Sequence, residues 1–594
     1  MTGRRRGAAV IAAMLALAGT WPARAGYLDA LLAYEASLWP GKLVRYAEGP
    51  ATGGAWSTPA VGDVTGDGVA DLIVGSAYGD VLVYPGRTGG SYGAPQSLLM
   101  GGEPEVAPTM RPVAATMMAR PGGTGLLIVI DGRAVFYQTN ETGIVGGVEI
   151  TGPKDESLQD VIARAGGGAV ISAAAEGTDK LVVGDTDGKL WECGVTTEGK
   201  LAKAAAFRAT DGPQLSVGAP AYVAVGEIDG ATRVLVGGGT ALWSADLKDG
   251  KASGLKKIAD GVKTPEGFVA QRLAPAMAGG GRVLLGTRWG PVLDARIHAG
   301  ALDDVKWALA IDVPADVGLC AAPWAVDWNG DGLKDFVVGS ADGHVRLLLA
   351  KDDGYFEPAT LLKDEKGPIE LPAAGEYACA APSLADMDGD GKYDLIVGGA
   401  DGAVYLWENK GTFIARGRVT VGGAELGGQG FAMATPLDWK GSGETDLVVG
   451  RAPVPVDDSI GLTAAQDGAS LRFLENEAEH GAWAKFTKAV PIDVLAEHGG
   501  TYGDASYLGP WQALFPGSLK VGGPVQVLAR SGEYLFKLES GGPAYPRFIG
   551  AAPDGMLRAW RPRGPVWATC LYGDKLAVGL GAYGFLAITD MPTQ

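Results

Sequence analysis

Apolar residues in this chain come in short runs that end near glycine, turn through a few polar residues and begin again. The unit over 71–84 shows the pattern: Leu72-Ile73-Val74-Gly75, a turn at Tyr78-Gly79-Asp80, then Val81-Leu82-Val83-Tyr84. Runs this short, bounded by turn residues, read as β-strands rather than core helices. The unit recurs ten times, over 71–84, 126–137, 180–191, 233–243, 282–293, 335–349, 394–407, 446–473 with an insertion, 525–536 and 575–588. Its turns repeat as Thr186-Asp187-Gly188, Ala341-Asp342-Gly343 and Ala400-Asp401-Gly402, and Asp-Gly between two apolar runs is a strong hairpin signal. Starts fall mostly about fifty to sixty residues apart, the length of one four-stranded sheet in a repeat array. The pattern predicts an all-β chain of about ten such sheets.

Three units are entered through a nine-residue polar loop, at 63–71, 327–335 and 386–394. Oxygen-bearing side chains stand at positions 1, 3, 5 and 9: Asp63, Thr65, Asp67 and Asp71; Asp327, Asn329, Asp331 and Asp335; Asp386, Asp388, Asp390 and Asp394. Ca²⁺ takes six to eight oxygens at about 2.3–2.6 Å, and alternate residues of a tight loop aim at one centre. Position 7, which is Val69, Leu333 or Lys392, offers only its backbone carbonyl. Glycines at positions 4 and 6 let the backbone fold around an ion without a Cβ penalty. One Asp/Gly cluster reads as an ordinary turn; three copies, each feeding an apolar run, read as three calcium sites. An EF-hand is excluded, because the loops open into strands and lack a Glu at position 12. A fourth loop, 438–446, has Lys440 and Ser442 at positions 3 and 5 and is expected to bind no calcium. Glu227-Ile228-Asp229-Gly230 and Gly279-Gly280-Gly281 read as shortened remnants.

At these loops the chain resembles the FG-GAP/VCBS repeat family, whose members are β-propellers with calcium loops between the strands of a blade. The resemblance implies a propeller of about ten four-stranded blades over 26–594. Ten is large for one ring, and two smaller rings or a ring with a peripheral sheet also fit. No Pro/Ser/Thr-rich linker divides the array, so a single ring is the expectation. On activity the resemblance says little, since the family serves adhesion, ligand binding and, in some polysaccharide-degrading enzymes, catalysis.

The N-terminus changes where this propeller is expected. Arg4-Arg5-Arg6, an apolar run from Ala8 to Ala18 and Ala23-Arg24-Ala25 read as a secretory signal peptide over 1–25. The run is far short of the ~20 residues needed to span a bilayer, and no later run is long enough. The product is expected to be secreted, meaning periplasmic, extracellular or cell-surface associated, with no transmembrane segment. Twin-arginine export has no other support. Net charge is −18; the first 25 residues carry four arginines and no acid, leaving −22, and three Ca²⁺ would bring it to −16. Such a balance argues against nucleic acid and anionic lipid as partners. Glycine at 95 of 594, with 20% charged residues, suits many short strands and turns.

Four cysteines do not make a disulfide framework in a chain of this size. Cys320 and Cys379 each stand seven residues before the first aspartate of their loops. As equivalent positions on neighbouring blades they could pair; the favoured reading is that each is a small buried hydrophobe where inner strands crowd. Cys193 and Cys570 have no visible partner. The four histidines, His298, His344, His480 and His498, are scattered, and no zinc, nucleophile-elbow or phosphate-loop motif occurs. They are expected at the surface, and no catalytic residue is assigned. Trp191, Trp243 and Trp407 recur after the hairpin and read as packing between blades. Trp328 and Trp439, at position 2 of their loops, are candidates to stack on a sugar. Interruptions at 139–168, 451–468 and 476–509 are expected as connecting loops on a binding face. The expected function is a secreted, non-enzymatic module binding an extracellular glycan or protein; the alternative is a polysaccharide lyase or hydrolase on the same scaffold.

Overall fold

The computed structural model describes residues 41–594 apart from 99–111, 427–430, 439–442, 453–470, 493–510, 518–525, 541–545, 552–565, 581–583, 591–594 and single or paired positions elsewhere. Each apolar unit folds back through its turn into an antiparallel hairpin, and a strand adds on either side. Ten sheets result: blade 1 at 58–98, blade 2 at 113–149, blade 3 at 170–206, blade 4 at 222–260, blade 5 at 274–307, blade 6 at 322–361, blade 7 at 381–418, blade 8 at 431–492, blade 9 at 511–551 and blade 10 at 566–590. The ten sequence units are strands two and three of the ten blades. Blade 10 takes its fourth strand from the other end of the chain: Gly41–Leu43 pairs with Phe585–Asp590, Leu43 opposite Ala587. That covers an edge which would otherwise present unpaired backbone groups.

Packing of the first strands decides how the blades are arranged. Thr58–Gly62, Val113–Arg120, Val170–Glu176, Tyr222–Ile228 and Ala274–Gly279 neighbour one another in turn, and the fifth returns to the first. Ala322–Val326, Ala381–Ala385, Phe431–Leu437, Trp511–Gly517 and Val566–Tyr572 form a second closed sequence. The blades therefore form two circuits of five, not the single ring of ten expected from the missing linker. The join is itself regular structure. Arg45–Pro50 leads out of the second circuit into the first, Leu309–Pro314 leads back, and the two pair antiparallel with Tyr46 opposite Val313. Two crossings that hydrogen-bond each other need no flexible spacer, so composition carried no sign of the boundary.

That ribbon lies in a core shared by both circuits. Val44, Tyr46, Val313 and Ala315 are buried with Leu72 and Leu284 from the first circuit and Phe336, Ala577 and Leu586 from the second. Phe336 stacks on Phe356 and Tyr572, with centroids 5.4 and 5.0 Å apart.

Glycine at the end of the second strand closes the circuits. A Cβ on Gly286 would stand 1.9 Å from the Ser57 carbonyl oxygen, where blade 5 meets blade 1; one on Gly579 would stand 1.8 Å from that of Ala321, where blade 10 meets blade 6. The same approach recurs at Gly75, Gly184, Gly237, Gly339 and Gly398, which explains why the apolar runs end on glycine. Of the three interruptions, 139–168 is packed structure: it holds the fourth strand of blade 2, Gly143–Glu149, and helix α1, Leu158–Arg164. Ser157 caps that helix, and Leu158, Val161 and Ile162 bury its apolar face between blades 2 and 3. In 476–509 the described part holds the fourth strand of blade 8, Phe486–Ile492, so that stretch too is not simply a connecting loop; 493–509 and nearly all of 451–468 lie outside the described residues.

Candidate metal centre

Each nine-residue loop links the first strand of its blade to the second, and the loops are built alike. The position-1 carboxylate holds the turn shut. Asp63 accepts from Gly66 N and Gly68 N (2.7 and 2.9 Å), Asp327 from Gly330 N and Gly332 N (2.8 and 3.0 Å), and Asp386 from Gly389 N and Gly391 N (2.7 and 2.8 Å). All six glycines have φ between 74° and 88°, the left-handed region that favours residues without a Cβ. Position 5 accepts from the N–H of position 7: Val69 to Asp67, Leu333 to Asp331 and Lys392 to Asp390, at 2.8, 2.8 and 3.0 Å.

Position 9 does something the sequence reading did not anticipate. Asp71, Asp335 and Asp394 are buried, and each spans two segments. One oxygen accepts from the N–H of position 2 (Val64, Trp328, Met387; 2.8 Å each). The other accepts from a residue just past the hairpin (Gly86, Ala350, Asn409; 2.8, 2.7 and 2.8 Å). Asp446, in the loop expected to lack metal, bonds Asn476 N at 2.8 Å in the same manner. This aspartate is a backbone staple in its own right. The retained Asp446 in a degenerate loop is the signal that could have revealed it.

The loops differ in how far their oxygens converge. In 386–394, one carboxylate oxygen each from Asp386, Asp388 and Asp394 lie within 4.8 Å of one another, the one such grouping among the described residues. Oxygens bound to one Ca²⁺ at about 2.4 Å stand no more than about 4.8 Å apart, so this donor set fits the ion. Asp390 lies with two ammonium groups, Lys392 Nζ at 3.0 Å and Lys410 Nζ at 3.1 Å. Lys410 also reaches Asp388 at 2.7 Å and Glu408 at 2.9 Å. Bonds from Lys392 and Lys410 hold the Asp390 carboxyl down at about 2. Burial pushes Asp394 up to about 6 against the N–H groups of Asn409 and Met387, and Asp388 and Asp386 add repulsion. A cation held among these carboxylates would relieve that repulsion. In 63–71, Thr65 Oγ1 lies 3.4 Å from Asp71; in 327–335, Asn329 Nδ2 donates to Asp331 at 2.8 Å. In these two loops the position-3 side chain turns to its own neighbours. Lys440 and Ser442 lie outside the described residues.

The aromatic and histidine expectations divide. Trp191, Trp243 and Trp407 pack between blades as expected, with Nε1 of Trp191 donating to Asp185 and that of Trp407 to Asp364. Trp328 packs against blade 7, 6.3 Å from Phe413; Trp439 is outside the described residues. His298 and His480 are exposed, but His344 is buried, its ring centroid 5.2 Å from that of Phe268 in a tilted contact and its Nδ1 3.3 Å from Asp342. Beside it, Arg346 is buried between Asp342 at 2.5 Å and Glu266 at 3.5 Å. Burial works to raise Asp342, yet Arg346 overrides it and holds the carboxyl well below its usual range. Glu266 and Phe268 come from the first circuit and Arg346 from the second, so no local sequence pattern could disclose this junction.

An FG-GAP-like repeat profile matches residues 327–397 and 386–449, and an FG-GAP repeat profile matches 55–94. No curated protein matches significantly. Among solved structures the chain is similar to BamB from Moraxella catarrhalis, at 11% identity over 71% of this chain and 94% of that one, TM-score 0.21. It is also similar to the computationally designed Ika8 protein, at 16% identity over 71% and 96%, TM-score 0.22. The profile matches fall on the three nine-residue loops and the strands around them, so the chain carries FG-GAP-type repeats in blades 1, 6 and 7 and into the start of blade 8.

Proposed function

We propose that this protein is an exported calcium-binding propeller that binds an extracellular glycan or protein and performs no chemistry on it. The observation that carries the metal reading is the convergence of Asp386, Asp388 and Asp394 in a loop that also touches the next blade. Thr445 Oγ1, of blade 8, donates to the Asp386 carbonyl at 2.9 Å. An ion held there braces blade 7 against blade 8, and the corresponding ions at Asp63/Asp67/Asp71 and Asp327/Asp331/Asp335 stiffen blades 1 and 6. The FG-GAP repeats support a propeller-type binding module. Among the described residues no helix is long and apolar enough to cross a membrane.

Calorimetric titration of chelated protein tests the metal. About three sites are expected, the 386–394 loop tightest because it has the most carboxylates; no binding heat would end the calcium reading. Binding to the native state alone stabilises by about 2.7 kcal/mol per site at a hundredfold excess of ion over Kd, so chelation should lower the melting temperature. A glycan array and a polysaccharide-cleavage assay on one preparation test the rest. Retention without cleavage is expected, and released oligosaccharide would move the protein to the enzyme class.

A further inference from the structure

We infer that Cys320 and Cys379 form a disulfide that fastens blade 6 to blade 7 within a buried cluster that both circuits share. Their sulfurs lie 2.7 Å apart, and both residues are buried. Non-bonded heavy atoms settle at about 3.5–4.0 Å, and a disulfide at about 2.05 Å, so these sulfurs are already inside ordinary contact distance.

The encounter follows from the repeat. Each cysteine stands two residues before its blade's first strand with a left-handed backbone, φ 59° at Cys320 and 46° at Cys379. Trp56 and Arg272 hold the same position in blades 1 and 5, with φ 56° and 59°. They too meet across adjacent blades, the Arg272 guanidinium 3.3 Å from the Trp56 ring centroid. The position therefore points residues of neighbouring blades at each other, by a cation–π contact in one circuit and by two sulfurs in the other.

A shared metal does not fit. Two thiolates on tetrahedral zinc, at about 2.3 Å each, stand about 3.8 Å apart and need further ligands. The surroundings here are Ala322, Ala341, Ala381, Ala400 and Phe431. Neither remaining cysteine competes: Cys193 is buried in blade 3 with Sγ 3.3 Å from the Ala202 carbonyl, and Cys570 is buried in the core around the ribbon.

Oxidation needs a disulfide donor, small or protein-borne. One cysteine thiolate attacks the donor and expels its first thiol; the second thiolate then displaces the second. The S–S bond forms between Cys320 and Cys379, and two electrons and two protons end on the donor as two thiols. Burial pushes the Cys320 thiol up and closes access once the blades have packed, so exchange belongs to folding.

The test is to fold the full chain from denaturant in oxidised and reduced glutathione and alkylate it under denaturing, non-reducing conditions. Two alkylated cysteines, Cys193 and Cys570, are expected, with a peptide pair joining Cys320 to Cys379 that separates on reduction. Four alkylated cysteines, or another pairing, would overturn the inference. Cys320→Ala should leave three alkylatable thiols. The melting temperature of the parent chain should fall by several degrees when dithiothreitol is present during folding, while that of Cys320→Ala/Cys379→Ala should not respond; a parent curve indifferent to redox conditions would also count against the bond.

Discussion

Asp335 illustrates how one residue type can serve two tasks in one motif. Its oxygens accept from Trp328 N and Ala350 N, and it is wholly buried. Asp335→Ala would strand both donors, at about 3 kcal/mol, and chemical denaturation should show this loss in chelator as well as in calcium. Asp331→Ala should cost little in chelator, because Asp331 is exposed and bonds only within its own loop. Equal losses for the two variants would mean that the staple is not what holds the loop. Asp316 contributes a pH dependence of its own. It is buried beside the ribbon, accepting from Thr52 Oγ1 and from Gly318 N, and burial pushes its carboxyl up to about 7. The folded state thus keeps a proton that the unfolded chain releases near its ordinary value. The resulting stability is fully present below about pH 4 and is lost as pH rises through about 7, about 4 kcal/mol in all. Asp316→Asn, neutral throughout, should match the parent below about pH 4 and exceed it by a growing margin up to about pH 7–8 in denaturant melts; a constant difference from about pH 3 to 8 would contradict the assignment. Neither role was legible beforehand. A staple and a proposed calcium ligand are both aspartates in a loop, and burial of Asp316 exists only once the two circuits pack.

At the level of elements, the hairpins could be read from the sequence because their determinants are local. A run such as Leu395-Ile396-Val397-Gly398 buried on both faces, followed by an Asp-Gly turn, specifies a central hairpin wherever it lies. All ten units became strands two and three, while the outer strands, such as Gln96–Leu98 and Thr360–Leu361, are short and carry no such pattern. The glycine ending each second strand looked like a strand-to-turn signal, and its larger task is close approach between blades. Gly286→Ala would set a methyl 1.9 Å from the Ser57 carbonyl, and backbone must move to admit it. We expect a loss of at least 3 kcal/mol or failure to fold, against a change within about 1 kcal/mol for Gly254→Ala, which meets nothing within 4 Å. Comparable melting curves for the two variants would remove glycine from the account of ring closure.

In the whole molecule, the antiparallel crossing of Arg45–Pro50 and Leu309–Pro314 puts residues of both circuits in one core. Repeat arrays gain stability blade by blade, but a shared core couples the two circuits. Scanning calorimetry should therefore give one transition, and Phe336→Ala, which empties a site lined by Phe356 and Tyr572, should lower it by about 3–5 kcal/mol. Two transitions, only one of them sensitive to Phe336→Ala, would show independent rings. The sequence by itself determined the all-β class, the ten hairpins, the left-handed glycines of the nine-residue loops and the match to FG-GAP repeats, because spacing and side-chain chemistry within about fifteen residues suffice for each. Only the tertiary structure decided the split into five and five, the strand lent by Gly41–Leu43 to the other end of the chain, the convergence of Asp386, Asp388 and Asp394 and the meeting of Cys320 with Cys379. Those depend on which distant backbone closes against which, a choice made by the fit of whole blades that no window of sequence contains.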